Sequence, residues 1–356
     1  MKPLLPFCIV SVALLAQSAL GQNATTSPVG VVKVSISAAL SATAPKISAI
    51  TIPLFNSVDA SFVGQSQGTI TSFTDTTISN SAAGWGNGTL SQAASPYFIR
   101  ITSGSCVGRI FVISKTVNTS TTITIDNEGT ALTTTGLAVG DKYSLHPADT
   151  LFTFFGNGTL TGNGTVKSGT SATTADVIRL IELSGTSDYY FNSTGNRWQN
   201  GSVPVNVGTT IIRPDRGIQY TRRATTGLDI TNMGSVPDTN SQVVYKKTGT
   251  SLLCTTFPVD QTLAQLSLQT TPGWIAKSAS VPLASADKVL VFDGTSSSWL
   301  TCHFDSQANQ WRAGSVPVNV GTTIKVLAGQ PFQIYRPTGT SGVAVRANTI
   351  PYNLSN

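Results

Sequence analysis

The sequence predicts an all-β protein, with a small N-terminal barrel or sandwich followed by two duplicated β-meander modules. Three observations carry that expectation. Only 11% of the 356 residues are charged, against a usual share of about 25%, and Thr, Ser, Gly, Asn and Val fill the gap. The apolar residues fall in short runs rich in Val, Ile, Thr and aromatics, bounded by Gly, Asn, Asp and Ser, a strand-and-turn pattern rather than a helical period. Finally, GSVPVNVGTTI stands at residues 201–211 and again, unchanged, at residues 314–324, the mark of an internal duplication.

Residues 1–21 read as a secretory signal peptide. Lys2 precedes an apolar run over residues 4–20, and Ala19-Leu20-Gly21 places small residues where a signal peptidase cuts. The run is short for a membrane span, and no second apolar stretch of about 18 residues follows. The mature chain is therefore expected to be secreted or held at the cell surface, extracytoplasmic, with no transmembrane segment. Its 22 Lys and Arg against 16 Asp and Glu are spread along the chain rather than gathered in a patch, so nucleic acid is not an expected partner. Export removes Cys8 and leaves Cys106, Cys254 and Cys302. Cys254 and Cys302 lie in the second module and form the candidate disulfide, the alternative being three buried small hydrophobes.

Residues 22–150 make up the expected N-terminal β domain. Residues 29–54 supply two strands ending in ITIPLF, loosely echoed by CTTFPV at residues 254–259, and residues 68–145 alternate short β runs, among them YFIRI and RIFVI, with turns. Residues 156–174 hold two Asn-Gly turns and read as a hairpin or flexible link. The first module spans residues 151–240 and the second residues 241–356. At the offset of the repeat, 314 − 201 = 113, YYFNSTGNRWQN falls on CHFDSQANQWRA, pairing Phe191 with Phe304 and Trp198 with Trp311. Upstream, ADVIRLIEL parallels ADKVLVFD, and downstream Arg223 of IQYTRR falls on Arg336 of FQIYR. Within the repeated segment Pro ends a strand or marks an edge and Gly supplies a bend, so it reads as a connector that shapes the fold.

Four stretches carry a resemblance: PVGVVKVSI (28–36), ISAITIPLF (47–55), GLAVGDKYSLHPADTL (136–151), and the two modules running from Ala-Asp through an aromatic hairpin and Trp to a strand bearing an aromatic residue and Arg. On these the sequence resembles an uncharacterised family of exported β-rich repeat proteins found mainly in Verrucomicrobia and related bacteria. In that family the last strand commonly reads Pro-x-Gly-x-Gly-Phe followed by aliphatic residues and Arg. Ala328-Gly329-Gln330-Pro331-Phe332 keeps part of this, and Pro214-Asp215-Arg216-Gly217-Ile218 departs further. The resemblance implies export and a β-rich fold, and it carries no activity.

The residues offer little catalytic chemistry. His146, in SLHPAD, and Ser66, in Gly-Gln-Ser-Gln-Gly, spell parts of a hydrolase triad, yet Ser66 lacks the strand before and helix after that a nucleophile elbow needs. His303 falls on Tyr190 in the other copy, which favours packing. Glu128 and Glu182 are the only Glu residues, and the duplicated Asp176 and Asp287 precede strands as turn residues do. No metal motif and no cofactor loop appears, so no catalytic, cofactor or metal residue is expected. Trp198 and Trp311 are the candidate ligand-stacking pair, weighed against cross-strand packing. The leading expectation is an exported structural or cell-surface protein without catalytic activity, self-associating in an envelope layer, matrix or filament through strand edges in residues 68–145, chiefly YFIRI and RIFVI. The alternatives are a module binding polysaccharide or another envelope polymer, and a hydrolase.

Overall fold

The computed structural model describes residues 28–156, 166–339 and 341–354; the expected signal peptide and the centre of the 156–174 link lie outside them. The chain opens with β1 (Val29–Ile36) and β2 (Lys46–Ile50). There follow β3 (Gln67–Thr69), β4 (Ser72–Phe73), β5 (Thr77–Ser79), β6 (Tyr97–Ile101), β7 (Ile110–Ile113), β8 (Thr122–Asp126), β9 (Lys142–Pro147) and the short helix α1 (Leu151–Phe155). Next come β10 (Val177–Ile181), β11 (Thr186–Asn192), β12 (Arg197–Asn200), β13 (Ile218–Arg222) and β14 (Leu228–Ser235). The remainder is β15 (Ser241–Lys246), β16 (Gly249–Leu253), β17 (Gln261–Thr262), α2 (Leu263–Leu266), β18 (Lys288–Asp293), β19 (Ser298–Asp305), β20 (Gln310–Ala313), β21 (Lys325–Val326), β22 (Phe332–Arg336) and β23 (Val343–Asn348). The chain is all-β, as its composition predicts, and no helix among the described residues is long and apolar enough to cross a membrane.

Strands β3 to β9 form one antiparallel sheet in the order β3-β9-β6-β7-β8-β5-β4. Its two ends are consecutive pieces of one stretch, residues 67–73, which pairs first with β9 and then with β5, so the sheet curls round on itself. Ile70, Trp85, Ile99, Phe111, Ile123 and Tyr143 fill the inside. YFIRI and RIFVI are β6 and β7, each paired on both sides, and so they are not the free edges expected of them. β6 is an almost unbroken apolar run because both its faces are covered, Ile99 by the inner core and Phe98 by Phe55 and Ala148.

The two modules repeat a single plan that the sequence shows only in part. The second has a sheet ordered β16-β22-β18-β19-β20 with a ribbon β15-β23, and the first has β2-β13-β10-β11-β12 with a ribbon β1-β14. The first two strands, which the sequence places in an N-terminal domain, thus pair with the first module, and Ile36, Ile50 and Ile52 sit in its core beside Trp198 and Tyr220. The curled sheet is an insertion between β2 and α1. Echoes between copies reach single hydrogen bonds. Thr150 and Thr262 each close a capping box at α1 and α2, and Asp176 and Asp287 each pair with the Arg at the end of the last strand of their sheet. That Arg is Arg222 in the first copy, not Arg223, at 2.5 Å, and Arg336 in the second, at 3.1 Å.

The repeated connector folds back over the edge of its own hairpin. After β12 the chain turns at Gly201 (φ 62), and after β20 at Gly314 (φ 59), a left-handed conformation that suits glycine. Val207 N–H then donates to the Trp198 carbonyl at 3.0 Å, and Val320 N–H to that of Trp311 at 2.9 Å. Asn206 and Asn319 accept from the N–H groups of Gly208 and Gly321, whose missing side chains make room for the Trp rings. The modules also exchange reciprocal bonds. Thr51 N–H reaches the Gly329 carbonyl at 2.8 Å, and Cys254 N–H that of Asp215 at 3.3 Å. By strand register Thr51 corresponds to Cys254 and Asp215 to Gly329, so the modules face each other about a pseudo-two-fold axis.

Candidate binding cleft

A cavity of about 1080 Å³ opens where the inserted sheet and both modules meet. Val112, Asp126 and Glu128 come from the insertion, Leu180, Glu182, Tyr189, Ile211 and Arg213 from the first module, and Lys246 and Val343 from the second. The rest of the wall is rich in hydroxyls, including Thr186, Ser187, Thr210 and Thr248. Junctions of this kind are where ligand sites concentrate.

Both Glu residues of the chain reach this cleft, from loops more than fifty residues apart. Glu128 follows β8 in the left-handed region (φ 51), held by its N–H to Asp126 Oδ1 and followed by Gly129 (φ 77), a conformation that costs a non-glycine residue energy and draws attention to the site. Its carboxylate accepts from Arg216 at 3.1 Å and lies 3.4 Å from Arg213. Asp215 accepts from both nitrogens of the Arg213 fork, at 3.0 and 3.1 Å, and from Arg216 at 3.2 Å. Glu182 stands 3.8 Å from Arg216 Nε, which has no hydrogen-bond partner.

This charge cluster orders its own titration. Burial works against the charge of Asp215, but the two guanidinium groups outweigh it and hold the carboxyl below its usual range. Arg213 is likewise opposed by burial and raised by Asp215 and Glu128. Glu182 is raised because burial outweighs the more distant Arg213 and Arg216. Two carboxylates on a cleft wall suggest glycoside hydrolysis, which needs the bond to lie between them. Here Arg216 lies between them instead, and Glu128 is occupied by two guanidinium groups. The arrangement is suited to holding a hydroxyl-rich ligand against Glu182 and Tyr189 more than to cleaving one.

The candidate stacking residues are buried. Trp198 is 0% exposed and Trp311 2%, each packed edge-on against the Phe of its hairpin, at 5.7 Å from Phe191 and 5.5 Å from Phe304. They are core residues, which removes the stacking role. Cys254 and Cys302 are free thiols, which corrects the expected disulfide. Cys254 directly follows β16, and in the sheet order β16-β22-β18-β19 three strand spacings, roughly 14 Å, separate it from Cys302 on β19. Burial pushes the two thiols up to about 11 and about 12.

His146 is clamped between Phe55 and Phe98, with ring centroids 5.1 and 5.3 Å away. It meets Ser144 Oγ at 2.9 Å and the Asn56 carbonyl at 3.0 Å, so its partner is Ser144, not Ser66, and both ring nitrogens face a hydroxyl or a backbone carbonyl rather than a carboxylate. Burial pushes it down to about 4. Among the described residues no three His, Cys, Asp or Glu gather as a metal site. Sequence reasoning missed the cleft because its parts come from three separate regions. Two signals were present: the only two Glu residues, and the dense Arg-Pro-Asp-Arg run at residues 213–216 in a chain so poor in charge.

No family model matches the chain, nor does any curated protein or solved structure.

Proposed function

We propose that the protein is a non-catalytic extracytoplasmic β protein that serves as a structural part of a cell surface, envelope layer or matrix. The supporting observation is where its reactive groups go. Asp176, Asp215, Asp287 and Glu128 sit in ion pairs, His146 is enclosed by aromatic rings, and the thiols are buried. The duplicated, mutually bonded modules supply a stiff body, and because the inserted sheet curls on itself, contacts between copies run through faces rather than its strand edges. Fractionation of producing cells tests this reading: the chain, beginning near Gln22, should stay with washed envelopes and self-associate in light scattering as its concentration rises. Turnover of a glycoside or ester abolished by Glu182→Gln would overturn it. A second reading, polymer binding, rests on the hydroxyl-lined cleft and not on the tryptophans. It predicts a protein that binds neutral oligosaccharides and loses them with Tyr189→Ala.

A further inference from the structure

The outer faces of the two module sheets differ in where they carry charge. Register places Thr250, Tyr335, Lys288, His303 and Arg312 in a line across β16, β22, β18, β19 and β20. The same line in the first module is Ile47, Thr221, Val177, Tyr190 and Gln199. Three positions that are uncharged in one copy are thus Lys288, His303 and Arg312 in the other. A fourth change lies at the end of the line. Gly169, bridged to Asn192 in the first module, is replaced by Lys277 bridged to Asp305.

The line points away from that core, since Val289, Cys302, Phe304, Trp311 and Ile334 occupy the opposite face; His303 at its middle is itself buried, and Lys288 and Arg312 on either side are partly exposed. Asp305 accepts from Lys277 at 2.9 Å and lies 3.1 Å from Arg312, and Arg312 Nε keeps no partner. Among the described residues Lys288 has no carboxylate partner and stands 5.4 Å from the centre of the half-exposed Tyr335 ring. Three lysine and arginine charges against one carboxylate leave the face positive. The first module's outer face carries Arg179, held by both oxygens of Asp188 at 2.7 and 2.8 Å, and Arg197 in register with Asn192, so its excess of positive charge is smaller.

The geometry points to this face of the second module as a docking site for an acidic polysaccharide. Lys288 and Arg312 are two strands apart, roughly 10 Å, a spacing that suits acid groups on alternate sugars of an extended chain. Tyr335 offers a ring for a sugar face to rest on, and Gln310, Gln333 and Thr301 offer hydrogen bonds between the charges. Two partly exposed cations two strands apart match a linear polyanion better than a compact anion.

His303 reports on occupancy. Burial lowers its pKa, and Lys277, Arg312 and Lys288 add to this while Asp305 opposes it. A bound polyanion offsets those cations and raises the His303 pKa, whereas His146, enclosed in the insertion, stays fixed. The test uses the whole mature protein with heparin as the sulfated probe, polygalacturonate as the carboxylated one and dextran as the neutral control. The comparison variant carries Lys288→Val, His303→Tyr and Arg312→Gln, the first module's own residues at those positions. Binding to heparin or polygalacturonate that fades with salt, and weakens by about tenfold in the variant as the two partly exposed charges of Lys288 and Arg312, each contributing a few-fold, are lost, supports the site. Tighter binding to one of the two probes tells sulfate from carboxylate recognition. A rise in His303 pKa in the wild type on adding the tighter probe supports it in a readout that needs no variant. Equal binding by a variant of unchanged thermal midpoint, no binding to either acidic probe, or stronger binding to duplex DNA or to anionic lipid vesicles would overturn it.

Discussion

The two modules share a plan and differ in how fully they satisfy it. In the first, Trp198 Nε1 donates to the Gly156 carbonyl at 2.7 Å, and Asp176 accepts from Tyr220, Arg222 and the N–H groups of Lys167 and Arg223. In the second, Trp311 Nε1 and Asp287 Oδ1 are buried without partners. Where the first has Tyr220 beneath its Asp, the second has Ile334. The first copy also carries the charge cluster that ties it to the insertion, and the second carries the more cationic outer face. The first module is thus tied to the insertion by charge, and the second differs from it most at its outer face.

The largest effect that would sharpen this contrast is at the paired aspartates. Removing one partner of a buried ion pair strands the other and costs about 3–5 kcal/mol, so Asp176→Ala should reach that range in urea unfolding. Asp287→Ala should cost about 1 kcal/mol less or lower still, because its carboxyl holds fewer hydrogen bonds. Equal costs would break the contrast.

The insertion supplies a reference with no duplicate. His146 titrates at about 4 when folded against an ordinary 6.5, so the unfolded chain takes up a proton that the folded chain refuses. Its contribution to stability is complete above pH 6.5 and falls as pH drops toward 4, with about 2 kcal/mol lost between pH 7 and pH 5. The wild type should therefore lose about that much more than His146→Gln over the same interval. Parallel pH profiles would show that the ring is more open than its surroundings indicate.

At the tryptophans the difference is smaller. Trp198→Phe gives up both packing and a buried hydrogen bond, whereas Trp311→Phe also removes an unsatisfied donor, so the first should cost about 1–2 kcal/mol more than the second. Smallest of all, Pro204→Ala and Pro317→Ala alter exposed connector residues and should each stay within about 0.5 kcal/mol of the parent.

Much of this fold was legible in the sequence because duplication writes itself in linear order. The repeated connector located both hairpins and both tryptophans, and Ala-Asp located the strand before each. The membership of β1 and β2 was harder to read, since residues 51–217 separate β2 from its partner β13 in the first module. The echo of ITIPLF in CTTFPV was its one signal, and those two stretches turn out to begin at the reciprocal bonds between modules. YFIRI and RIFVI misled as edges because unbroken apolar runs mark strands covered on both faces. The cysteine pair misled because a shared module says nothing about sheet order. The cleft was least legible of all, because Glu128, Glu182, Arg213 and Arg216 become neighbours only when the insertion closes on the module that contains it.

The central claim is that the first module is split by the insertion, and a two-fragment experiment tests it most directly. Residues 151–356 and residues 57–147 are prepared separately, and their amide spectra are compared with those of the whole chain. Without β1 and β2, the first module loses Ile36, Ile50 and Ile52 from its core and one flanking strand from its sheet. The account predicts that residues 57–147 keep the dispersed resonances of a folded sheet, and that within the longer fragment residues 241–348 stay dispersed while residues 175–235 collapse. Native-like dispersion across residues 175–235 in that fragment would contradict it and return the first two strands to an independent N-terminal domain.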